Sequence, residues 1–86
     1  IEKIKISGIT DDINIKITDI SGNLIAEANS NVNNRYNGFN LEIDGGIAYW
    51  NGKNLANNSV SSGVYIVMLS DLDSYETKIL KIMIIR

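Results

Sequence analysis

Apolar and polar side chains alternate along most of this chain with a period of two, the spacing of a strand with one face buried. Ile4 and Ile6 face one way, and Lys3 and Lys5 the other. Ile13, Ile15 and Ile17 alternate with Asn14, Lys16 and Thr18 in the cleanest half-buried strand of the sequence. The turn Asp19-Ile20-Ser21-Gly22-Asn23 leads into Leu24–Ala28 as its hairpin partner. Phe39, Leu41 and Ile43 alternate with Asn40 and Glu42, and the tight turn Asp44-Gly45-Gly46 sends Ile47–Trp50 back along them. Val64–Leu69 is an unbroken β-branched and aromatic run, which predicts a strand buried on both faces. Tyr75 to Ile85 predicts a long last strand, bulged where Ile79-Leu80 interrupts the alternation. Asn29–Gly38 and Lys53–Ser62 lack a period and read as loops, with Leu55 and Val60 as apolar anchors of the second.

No segment carries a helical period. Six or seven short strands between Gly, Asn and Asp turns predict an all-β fold, an antiparallel β-sandwich of about seven strands. Ile15, Ile17, Leu24, Trp50, Val64, Ile66 and Ile82 are its expected core. With no proline to guard edges, Lys3, Lys5, Lys16, Lys78 and Lys81 are the strand residues expected to discourage edge pairing.

At 86 residues the chain is expected to form one domain, residues 1–86, with a thin core. It enters a strand pattern at Ile1 and reads as a C-terminal fragment of a longer protein. Eight basic residues against ten acidic ones, net charge −2, provide neither the basic face of a nucleic-acid reader nor a polybasic membrane patch. No apolar run approaches the roughly 20 residues of a membrane-spanning helix.

The absence of cysteine and histidine removes disulfides, thiolate metal sites, cysteine nucleophiles and the commonest general base. Asp11-Asp12 and Asp71-x-Asp73 lack calcium-loop spacing and read as turn formers. No serine has a base beside it, and a thin sandwich has little room for a cleft between paired carboxylates. The expectation is no enzyme: no catalytic residue, no cofactor and no metal. Trp50, Tyr49 and Tyr65 are open to two readings, a sugar-stacking platform or core. Core is favoured for Trp50 and Tyr65, with the indole nitrogen bonded to a carbonyl. Tyr36 and Phe39, in or beside the polar loop, are the better candidates for an exposed contact.

Three clusters and the chain's end carry a family resemblance: Asp19-Ile20-Ser21-Gly22-Asn23-Leu24-Ile25, Gly46-Ile47-Ala48-Tyr49-Trp50-Asn51-Gly52-Lys53-Asn54, Val60-Ser61-Ser62-Gly63-Val64-Tyr65-Ile66-Val67, and Lys81-Ile82-Met83-Ile84-Ile85-Arg86. In this order they resemble the C-terminal immunoglobulin-like domains of the type IX secretion system of Bacteroidetes. The similarity is greatest to the form that closes two-propeller surface proteins of the sortase attachment complex. Cargo sorting domains and the sandwich of flagellar hook-capping proteins are more distant relatives.

The resemblance implies an immunoglobulin-like β-sandwich acting as a non-catalytic module for secretion and cell-surface attachment. It would be read as a folded signal by translocon or sortase-complex proteins, with lipopolysaccharide as a further ligand, at the outer membrane surface or in the medium. Among relatives the last strands carry recognition, which directs attention to Lys78, Lys81 and Arg86. The resemblance also gives Gly63 the role of starting the central strand where Val60 and Tyr65 pack closely. Two departures stand out. Asn31–Asp44 looks inserted, which would make its Phe39–Ile43 strand a local elaboration, and Asn57 or Asn58 occupies a position where relatives favour Gly. The alternative readings are an adhesive or carbohydrate-binding sandwich, marked by exposed aromatics, and a structural spacer domain.

Overall fold

The alternating segments form seven strands: β1 (Ile4–Ser7), β2 (Ile13–Asp19), β3 (Leu24–Asn29), β4 (Leu41–Asp44), β5 (Ile47–Trp50), β6 (Gly63–Asp71) and β7 (Thr77–Ile84). The computed structural model describes residues 4–10, 12–31, 37–71 and 77–85. Two antiparallel sheets, ordered β1-β5-β4 and β3-β2-β6-β7, pack as an all-β sandwich. Gly45 and Gly46, at φ 61° and 81°, make the two-residue turn that pairs Asp44 with Ile47. Both positive φ values match the right-handed twist of the flanking strands.

Trp50 is fully buried at the centre, packed edge-to-face on Tyr65 with ring centroids 5.7 Å apart. Ile15, Ile17, Val67 and Leu41 complete the layer between the sheets. The fully buried Ala26, Ala28 and Ala48 make room for the indole and the isoleucines. Tyr65 also donates from its hydroxyl to the Ser61 carbonyl at 2.8 Å, a tyrosine corner. Val60 is buried as expected of an anchor, whereas Leu55 is exposed.

Several expectations are corrected. Leu24 is exposed because a bulge at Ile17/Thr18 shifts its pairing onto Thr18, beyond the inward row of Ala26 and Ala28. Val64 and Ile66 are half-buried on the outer face of β6, since Tyr65 and Val67 take the inward positions. Ile82 is half-buried and packs against the core. The last strand has no bulge within Thr77–Ile84: its register with β6 runs unbroken from Ser70↔Thr77 to Gly63↔Ile84. Ile79 and Leu80 simply lie on opposite faces of an edge strand.

Lys16 guards no edge, because β2 lies between β3 and β6. It points outward to Glu27 at 3.7 Å. Nor is the strand within Asn31–Asp44 a local elaboration: β4 is one of three strands in its sheet, and Leu41 and Ile43 are core residues. A Cβ on Gly63 would meet nothing within 4 Å, so its backbone at φ 157°, not crowding by Val60 and Tyr65, favours glycine there. Asn57 adopts φ 64°, the left-handed conformation that asparagine tolerates in place of glycine.

Candidate functional site

The last strand carries two of the recognition residues inferred from the resemblance. Lys78 stands opposite Leu69 and Lys81 opposite Ile66. Three residues apart on a strand, they project from opposite faces. Lys78 points with Leu80, Ile82 and Ile84 toward the other sheet, at the mouth of a cleft of about 610 Å³ lined by Gly8, Ile9, Ile13, Leu69 and Asp71. Lys81 lies on the outer face between Ile79 and Met83, which are 61% and 68% exposed. Neither lysine makes an ion pair among the described residues. Arg86 and Tyr36 lie outside the described residues. Lys78 and Lys81 therefore do not form one cationic spot. They place cations on both faces of an edge strand rich in exposed apolar side chains.

Phe39 is exposed, and with Tyr49, Glu42 and Asn51 it rims a shallow cleft of about 100 Å³. Tyr49 and Glu42 are cross-strand partners on the outer face of the three-stranded sheet. The floor of this cleft includes Asn40, which sequence reasoning missed. Its place in the alternation beside Glu42 predicts an outward polar side chain, but β4 begins only at Leu41. Asn40 is instead buried, and its Nδ2 donates to the Ile25 and Lys53 carbonyls, both at 2.9 Å. Its Oδ1 has no partner among the described residues. The Lys53 carbonyl also accepts the indole N–H of Trp50 at 3.0 Å. Trp50 and Tyr65 are thus core, and the aromatic surface available to a ligand here comes from Phe39 and Tyr49.

Asp19 serves the backbone of its turn; Asp11 and Asp73 lie outside the described residues. One Asp19 oxygen accepts the backbone N–H groups of Ser21 and Asn23, and the other accepts the Asn23 side-chain amide. The Asn23 side chain first, then the backbone donors, holds the Asp19 carboxyl below its ordinary value. Among the described residues no three His, Cys, Asp or Glu side chains converge. No helix among them is long and apolar enough to cross a membrane.

No known protein family and no curated protein matches this chain. Among solved structures it is similar to PorZ of Porphyromonas gingivalis, described as an essential bacterial surface component of the type-IX secretion system. The match has a TM-score of 0.74 at 27% identity and covers 99% of this chain and 10% of PorZ. The chain thus spans about a tenth of the length of the protein it matches. The resemblance to a type IX secretion component thus extends over nearly the whole chain and does not rest on short sequence clusters alone.

Proposed function

We propose that this chain is a C-terminal module of a type IX secretion protein that is read, folded, by protein partners of the secretion or attachment machinery. The observation that carries the reading is the likeness to PorZ over nearly the whole chain. On this reading the module works at the outer membrane surface or in the secreted state, and its partners are translocon or sortase-complex proteins, with lipopolysaccharide as a further ligand. It acts without catalysis. The absence of cysteine and histidine and the self-contained hydrogen bonding of Asp19 agree with a binding role. Recognition falls on β7: an edge strand offers unpaired backbone groups, and lysines on both faces set the register of whatever reads it.

The test replaces Lys78, Lys81 and Arg86 together with glutamine in the natural full-length protein. Circular dichroism and the urea midpoint establish that the fold survives, and surface delivery is then measured in the native host. Delivery should fall while the fold stays intact. Unchanged delivery would defeat recognition through these charges. The exposed Phe39 beside Tyr49 favours a second, carbohydrate-binding reading, which predicts that Phe39→Ala abolishes saccharide binding without altering delivery.

A further inference from the structure

On one side the sandwich closes where β3, an end strand of one sheet, meets β4, an end strand of the other. Backbone alternation fixes which groups these strands turn outward. Beyond β3, the Ser30 N–H donates to the Ile13 carbonyl of β2 at 2.9 Å. Ala28, two residues earlier, faces β2 likewise, so Glu27 turns its N–H and C=O to the outer edge. In β4 the two-residue turn makes Asp44↔Ile47 a hydrogen-bonded pair, so Leu41 and Ile43 turn theirs away from β5. Bare edge groups of this kind pair readily with another strand. Here the segment Asn37–Asn40 meets them. The Asn40 Nδ2 donates to the Ile25 carbonyl of β3 at 2.9 Å. The Gly38 N–H donates to the Leu41 carbonyl at 2.9 Å, and the Asn37 Oδ1 accepts the Ile43 N–H at 3.0 Å. Gly38 also lies against the Glu27 carbonyl: a Cβ there would stand 3.2 Å from that oxygen and 3.3 Å from the Asn40 Oδ1. Its φ is not in the left-handed region, so a side chain would spoil the close approach and not the backbone conformation. Burial alone does not account for Asn40. An apolar side chain would spare the Oδ1 that has no partner among the described residues, but would strip the Ile25 carbonyl of this donor.

We propose that Asn37–Asn40 is a seal that closes both sheet edges at once and keeps this side of the sandwich from taking a further strand. Two side-chain amides and one peptide N–H stand in for the strand that would otherwise pair there. The seal can be loosened without removing a core side chain, because Asn37 is exposed and Gly38 has none. Loosening it bares the edge of β3, and in a solution of the chain alone the strand that meets this edge is the β3 of a second copy. The inference uses only groups within the chain and does not depend on the secretion reading.

The test compares the parent chain with Asn37→Ala, with Asn37→Ala combined with Gly38→Ala, and with Asn40→Ala. Amide exchange followed by NMR in the isotope-labelled chain should show Ile43 exchanging about two- to tenfold faster in Asn37→Ala, the factor for loss of one hydrogen bond. Sedimentation equilibrium between about 10 µM and 1 mM should show the weight-average mass of the double variant rising toward that of two chains more steeply than the parent's. As it rises, the Glu27 amide should exchange more slowly, since its N–H lies on the bared edge. Asn40→Ala should associate in the same way. Asn37→Ala removes only an exposed side chain, so its exchange and sedimentation decide the matter should the second alanine unfold the chain. An Ile43 amide unchanged by Asn37→Ala would overturn the proposal. So would association that leaves the Glu27 amide unprotected. Variants that lose stability yet sediment as the parent does would make these bonds a staple and not a seal, and would overturn it too.

Discussion

Replacing Trp50 tests the architecture at its centre. The indole is fully buried, contacts Tyr65 edge-to-face, and donates its N–H to Lys53. Removing it to alanine should cost about 3–5 kcal/mol through lost burial and the cavity left behind. For 86 residues the total stability is about 4–13 kcal/mol, so the variant should lose between about a quarter and all of it. Trp50→Phe separates the contributions. It keeps an aromatic ring against Tyr65, and the Lys53 carbonyl keeps the Asn40 amide as a donor. The lost indole hydrogen bond should then cost only about 0.5–1.5 kcal/mol, with a smaller addition for the lost volume. Urea unfolding followed by circular dichroism measures both, since the variants lack the only tryptophan. With a slope near 1–1.5 kcal/mol/M, alanine should lower the midpoint by about 2–5 M and phenylalanine by about 1 M. An alanine midpoint within about 0.5 M of the parent, or a phenylalanine variant as unstable as alanine, would refute the reasoning.

Leu41→Ala should destabilise by about 2–5 kcal/mol, whereas Leu24→Ser should stay within about 0.5 kcal/mol, and the same urea titration distinguishes them. Tyr65→Phe removes the hydroxyl that holds Ser61 and should cost about 1 kcal/mol in that assay. Asp19 carries a pH dependence of definite sign. Its carboxyl is depressed when folded and returns to the ordinary value of 3.8 when unfolded. Its contribution is therefore present above that value and lost as pH falls through it toward the folded value. Midpoints measured down an acid series should fall more steeply for the parent than for Asp19→Ala.

Local order determined much of this protein. The period-two alternation of Ile13–Thr18, the Gly45-Gly46 turn and the β-branched run after Gly63 specify strands and hairpins, because side-chain direction on a strand follows from backbone geometry alone. The same applies to Asn57, whose short amide tolerates the left-handed turn.

What local order left open was decided by the pairing of distant segments. Whether Leu24 or Ala26 faced inward depended on a bulge that one strand cannot announce. A wholly apolar strand gives no sign of which face is covered. Only the stacking of three strands on four shows Val64 and Ile66 on the outer face and leaves Leu80 exposed. Asn40 looked like a surface residue until β4 was seen to begin after it, turning its amide inward onto two carbonyls. The unequal widths of the two sheets are likewise a property of long-range pairing, carried by no single stretch of sequence.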